Sequence, residues 1–191
     1  MKELSLHILD IMHNSIAANA DLIQLELIED TARDVLSFRI EDNGKGMSEE
    51  QAARVVNPFV TGRTTRKVGL GIPLLKAAAE LTGGGIELRS KEGTGTVISA
   101  RFGYGHIDRQ PLGDMAGTML GLITSHEEID FVYRHWVDGR DYTLDTREMR
   151  QMLGDVKFSQ PDVMLWLSEF LQENEAELYN GGDLYSPQLS Q

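Results

Sequence analysis

Four short motifs follow one another in fixed order through the first half of this 191-residue chain. Asn14 lies within Asp10-Ile11-Met12-His13-Asn14-Ser15-Ile16-Ala17-Ala18-Asn19-Ala20. Asp42-Asn43-Gly44-Lys45-Gly46-Met47 comes next, then Gly69-Leu70-Gly71, then Gly93-Thr94-Gly95-Thr96. Glycine-rich turns are common singly, but here a strand or helix pattern fills every gap. In this order they describe the walls of one pocket, which constrains ligand and fold together.

The patterns between the motifs are regular. Leu4, Ile8, Ile11, Ser15 and Ala18 share helical spacing, which predicts an amphipathic helix over 3–18. Residues 22–29 and 35–41 alternate with period two and predict antiparallel strands joined by the polar 30–34 turn. Ser48, followed by Glu49 and Glu50, predicts a capped helix to about Val56. Pro58, Gly62 and a run of Thr, Arg and Lys make 57–68 a loop. A helix follows at about 70–82, and strands at 86–91 and 96–102 flank the Gly-Thr-Gly-Thr turn. The expected fold class is an α/β (α+β) two-layer sandwich with a mostly antiparallel sheet, plus a small α+β C-terminal extension.

In that extension Gly103-Tyr104-Gly105 reads as a hinge, and residues 112–124 read as helix. Residues 131–137, Asp138-Gly139 and 140–144 carry a hairpin signature. Asp145 or Thr146 caps a helix to about 153, and Pro161 opens another to about 178. From Tyr179 onward the chain reads as frayed.

Charge divides the chain at the same place. Residues 1–103 hold 14 acidic and 12 basic side chains, a net of −2; residues 104–191 hold 16 and 6, a net of −10. Two regions, 1–103 and 104–191, are therefore expected. The first is close to neutral and suits a polyanionic ligand, while the overall −12 argues against nucleic acid as the main partner. With no cysteine there are no disulfides, thiolate metal sites or thiol nucleophiles. No apolar run approaches a membrane span, and Met1 is followed by Lys2-Glu3-Leu4 rather than a signal core, so a cytoplasmic location is expected.

Asp10 and Asn14 are one turn apart and share a helix face. An Asn oxygen is a hard neutral ligand of the kind Mg²⁺ accepts beside phosphate oxygens, and the carboxylate could orient or deprotonate a water. A polar pair on a solvated face is the plainer alternative. Asp42, at a strand end before Gly44 and Gly46, can accept from an adenine amino group where glycine lets the base approach; an ordinary turn is the alternative. Gly69-Leu70-Gly71 opens a helix whose free N–H groups suit phosphates. It is no Walker loop, because no Gly-Lys-Ser/Thr follows. Thr96 could share the base with Asp42. The five histidines show no metal spacing; His13 reads as structural, and Trp136 and Trp166 as core.

Together these residues resemble the ATP-binding domain of the GHKL, or Bergerat-fold, superfamily of gyrase B, heat-shock chaperones, histidine kinases and MutL. The resemblance covers roughly residues 3–103. Asp10 to Ala20 is similar to the N box in its MutL form, Asp42 to Gly46 to the Asp-x-Gly-x-Gly box, and Asn57-Pro58-Phe59 to the histidine-kinase F box. Gly69 to Gly71 and Gly93 to Thr96 are similar to the later glycine boxes. The resemblance implies ATP and Mg²⁺ as cofactors. It gives Mg²⁺ to Asn14, adenine to Asp42 and Thr96, the base wall to Met47, the close-approach turn to Gly44 and Gly46, and phosphates to Gly69, Leu70 and Gly71. Residues 57–68 would form a lid, with Arg63, Arg66 or Lys67 reaching the γ-phosphate.

Asp10 stands where the family's ATPases carry a catalytic Glu. The shorter side chain predicts slow or absent hydrolysis, yet an acid at this position points toward hydrolysis or serine-kinase chemistry, with Asp10 as the catalytic residue. The chain begins at the N box, without upstream helices bearing a phosphoacceptor His, so a complete sensor kinase is not expected. The expected function is a stand-alone regulatory protein kinase or ATPase acting on a separate partner, docked through 104–191. The alternatives are a non-catalytic nucleotide-sensing module and a MutL- or gyrase-like module that dimerises on ATP.

Overall fold

The structure is a computed structural model of the chain and describes residues 3–56 and 71–180. In chain order the elements are α1 (Leu4–Ala17), β1 (Leu22–Asp30), β2 (Val35–Asp42), α2 (Glu49–Val56), α3 (Gly71–Leu81), β3 (Gly85–Lys91) and β4 (Gly95–Gly103). Then come α4 (Met115–Ser125), β5 (Asp130–Val137), β6 (Arg140–Asp145), α5 (Thr146–Leu153) and α6 (Pro161–Asn180).

These strands form a single six-stranded sheet in the order β3-β4-β2-β1-β5-β6. Neighbours are antiparallel except β1 and β5, which run parallel from Leu22↔Asp130 to Glu29↔Val137. Alternation puts Ile23, Leu25 and Leu27 of β1, Leu36, Phe38 and Ile40 of β2, Ile98, Ala100 and Phe102 of β4, and Phe131 and Tyr133 of β5 on one buried face. Ile8 and Ile11 of α1, Leu75 and Ala79 of α3, Met119 and Leu122 of α4, and Leu167 and Leu171 of α6 close over it. Each Leu, Ile, Phe and Met among these contributes about 1.5–3 kcal/mol on burial, so this layer holds the fold. The opposite face is charged and pairs across it, as with Arg39–Glu41 and Arg134–Glu26. The expected two-layer α+β sandwich with a mostly antiparallel sheet is the observed one.

The β5–β6 hairpin forms as expected and belongs to the main sheet, with β5 inside it burying Phe131, Tyr133, His135 and Val137. Two local expectations change. Gly103-Tyr104-Gly105 is a pinned corner rather than a hinge. Gly103 donates to the Thr82 carbonyl at 3.3 Å, Tyr104 to the Asp34 carbonyl at 3.1 Å, and Gly105 to the Asp34 carboxylate at 2.7 Å. Tyr179 is not frayed: α6 runs to Asn180, and the Tyr179 hydroxyl donates to Glu29. Residues 104–180 thus extend the same sheet that carries residues 22–103.

Candidate functional site

β2 ends on Asp42, and the ladders set it opposite Thr96 of β4 and Ile23 of β1. Glycine makes this approach possible. Gly95 has φ 128°, and a Cβ there would stand 1.9 Å from the Asp42 carbonyl oxygen. Gly46 has φ 63°, and its Cβ would stand 1.9 Å from the Lys91 carbonyl oxygen. Both backbones occupy the left-handed region that L side chains resist. The turn after β2 therefore lies against the β3–β4 turn, and the Gly93 N–H donates to the Lys45 carbonyl at 2.7 Å.

Asp42 is only 8% exposed, and a carboxylate removed from water must find donors. Ser15 of α1 donates its hydroxyl to Oδ2 at 2.6 Å, and the Gly44 N–H donates to Oδ1 at 2.9 Å. A carboxylate has about four lone-pair directions, so Asp42 retains room for a donor from a ligand. Gly44 packs on the end of α1, where its Cβ would lie 2.9 Å from the Ala18 carbonyl oxygen. The Lys45 N–H donates to that same carbonyl at 2.9 Å. On the other side Ser90 of β3 accepts from the Met47 N–H at 2.9 Å and lies 2.8 Å from the Thr96 hydroxyl.

These contacts enclose a cavity of about 240 Å³. Asn14, Asp42, Gly46, Met47 and Thr96 all line it, with Ile11, Val55, Ile72 and Ile98 as apolar wall. Apolar walls around one fixed carboxylate suit a flat heteroaromatic ring with an exocyclic amine. Asn14 is exposed at the cavity wall, where its side-chain oxygen is free to share Mg²⁺ with phosphates and water. The donor set therefore fits ATP and Mg²⁺.

Asp10 stands apart from this lining. It is half-buried on α1 beside the first residue of α3, where a Cβ on Gly71 would lie 1.6 Å from Asp10 Oδ2. A carboxylate beside the N-terminal end of a helix is favoured by the helix dipole. Gly71 is thus next to Asp10, while Gly69 and Leu70 fall outside the described residues. So do Arg63, Arg66, Lys67 and Asn57-Pro58-Phe59. His13 is exposed, its ring edge-on to His126 at 6.4 Å.

Sequence reasoning missed Ser15 and Ser90. Ser15 had a readable signal: it occupies the apolar stripe of α1, and a polar residue there must bond to something buried. Ser90 had none, because its role depends on how β3 pairs with β4.

Residues 2–105 match the family described as histidine kinase-, DNA gyrase B- and HSP90-like ATPase. Among curated proteins, the sensor histidine kinase YvrG of Bacillus subtilis is 29% identical over 97 residues, covering 49% of this chain and 17% of that protein. The alginate biosynthesis sensor protein KinB of Pseudomonas aeruginosa is 34% identical over 94 residues, covering 49% of this chain and 15% of that protein. The chain therefore spans less than a fifth of these relatives' length. Among solved structures, the Aquifex aeolicus MutL ATPase domain complexed with ADP aligns with a TM-score of 0.51 at 14% identity, over 88% of this chain and 69% of that one. The N-terminal domain of a DNA repair protein aligns with a TM-score of 0.56 at 14% identity, over 76% of this chain and 53% of that one. With a match over more than half its length, and the fold to go with it, the chain belongs to the histidine kinase-, DNA gyrase B- and HSP90-like ATPase family.

Proposed function

We propose that this protein binds ATP with Mg²⁺ and acts as a regulatory protein kinase or ATPase on a separate protein partner. One observation carries the reading: Asn14 and Asp42, 28 positions apart in the chain, line the same cavity with Thr96 and Met47. Asp42 would accept from the base amine, oriented by Ser15 and Gly44. Thr96, tied to Ser90, would complete the base side, and Met47 would cover the ring. Asn14 would hold Mg²⁺, which supplies charge neutralisation on the phosphates. Gly69, Leu70 and Gly71 would cradle those phosphates at the start of α3, and Asp10 would orient or deprotonate the attacking group. Residues 104–191, acidic and beyond the family match from residue 106 onward, are the proposed partner-docking region.

A nucleotide-sensing role without catalysis is the second reading. It is favoured by the position of Asp10, which packs on Gly71 rather than lining the cavity. Calorimetric titration of the whole chain with ATP, with and without Mg²⁺, tests the binding claim. Magnesium-dependent binding that Asp42→Asn abolishes is expected, and no binding at all would end both readings. Labelled ATP then separates them, since neither phosphate release nor transfer to a partner leaves only the sensor.

A further inference from the structure

At the opposite end of β1 from Asp42 lies a second polar cluster, deep in the core and unconnected with the cavity. His135 of β5 is 0% exposed and Glu29 of β1 is 3% exposed. His135 Nε2 is 3.1 Å from Glu29 Oε1, and Nδ1 is 2.9 Å from Glu175 Oε2 of α6. Neutral imidazole has a single N–H, so it can donate to one of these carboxylates but not to both. With both carboxylates ionised, both contacts are hydrogen bonds only when the ring carries its second proton.

Tyrosines from the packed elements add further donors to both carboxylates. Tyr133 of β5 donates to Glu175 Oε1 at 2.7 Å and lies 3.3 Å from His135 Nδ1. Tyr142 of β6 donates to the same Glu175 oxygen at 2.6 Å, and Tyr179 of α6 donates to Glu29 Oε1. Tyr104, after β4, is the outermost titratable neighbour, and Arg109 covers its ring at 4.8 Å. Burial keeps the hydroxyls of Tyr133, Tyr142 and Tyr179 protonated, so they serve as donors throughout.

α6 needs this cluster because its apolar stripe is interrupted. Leu167, Phe170 and Leu171 anchor its first half, but the next inward position is Asn174, buried with its side-chain oxygen unpartnered. Beyond it, Leu178 is the single buried apolar residue, and Glu175 and Tyr179 point into the cluster. We propose that the proton on His135, shared between Glu29 and Glu175, latches the C-terminal half of α6 to the sheet, and that losing this proton releases it.

The sign follows from the charges. Burial alone disfavours the imidazolium, but the hydrogen bonds and charges of Glu175 and Glu29 outweigh it and leave His135 above its ordinary value. Burial likewise opposes ionised Glu175, and the His135 and tyrosine bonds reverse that, leaving it below its ordinary value. A raised histidine pKa gives stability that is whole below the unfolded value and is lost as pH rises through the folded one. A lowered carboxyl pKa loses its contribution only in acid. The latch is therefore closed below the pH at which the folded-state ring titrates, which lies above the ordinary histidine value, and it opens as pH rises through that titration.

Nitrogen-15 NMR of the full chain between pH 6 and 10 tests this. Both His135 ring nitrogens should carry protons at pH 6, and amides of residues 174–180 should lose protection, beyond ordinary base catalysis, over the higher range where the ring titrates. Glu29→Gln, which keeps the side-chain shape, should weaken proton binding at His135 about tenfold. A singly protonated ring at pH 6, protection indifferent to that titration, or an unshifted titration in the variant would each overturn the proposal. The readouts involve no nucleotide, so the result stands apart from the proposed function.

Discussion

The site is tuned by single atoms around Asp42. Its two oxygens receive one hydroxyl and one backbone N–H, from Ser15 and Gly44, and those two donors fix which way the remaining lone pairs face. Ser15→Ala would remove the hydroxyl and leave a buried charged acceptor short of a partner, at a cost of about 1–3 kcal/mol. For a chain of this length that lowers the melting temperature by roughly 2–12 °C. Affinity for Mg-ATP should fall about tenfold, because a carboxylate free to rotate no longer presents its lone pair to the base. Scanning calorimetry and titration on the same sample read both. An unchanged affinity would mean that Gly44 alone orients Asp42. Asn14 and Asp42 were legible as a pair because their motifs are local, whereas Ser90 reaches Thr96 only through the β3–β4 pairing.

At the scale of elements, helix ends decide where chain segments turn. Asp114 takes extended backbone before α4 and accepts from the Gly117 N–H at 2.8 Å, satisfying one of four unpaired donors. Asp145 does the same for α5, accepting from the Arg147 backbone N–H at 2.9 Å, and the Arg147 guanidinium, which donates to the same carboxylate, holds it below the usual range. Replacing such a cap with alanine costs about 0.5–2 kcal/mol. Asp114→Ala is the cleaner case, because its side chain is exposed and lies outside the cavity lining. Chemical denaturation should show the midpoint falling with an unchanged slope, while nucleotide affinity stays the same; a drop in affinity would mean that α4 communicates with the site. The Asp145 cap, the Pro161 start and the Asp138-Gly139 turn were all readable, since each is set by neighbours in sequence. The pinning of Tyr104 and Gly105 by Asp34 was not, because those partners lie 70 residues apart.

At the scale of the whole molecule the parallel pairing of β1 with β5 governs what can stand alone. Local pattern announced both strands, but nothing local says that β5 inserts beside β1 rather than starting a separate sheet; partners a hundred residues apart are found only by the finished fold. The change of charge near residue 104 marks a change of surface, and the sheet crosses it without a break. A fragment of residues 1–103 would leave the Leu22–Asp30 edge of β1 unpaired along its length, with Glu29 stripped of His135 and Tyr179. It would also uncover the side of the core that Met119, Leu122, Phe131, Tyr133 and Leu171 close. An open apolar edge next to an orphaned buried carboxylate is a recipe for association rather than folding. Expressed alone, the fragment should aggregate or show secondary structure without near-ultraviolet dichroism, and should bind no Mg-ATP, whereas the full chain folds cooperatively. A soluble, cooperatively melting fragment that still binds nucleotide would show that residues 104–191 are an appendage after all, free to evolve with whatever they dock.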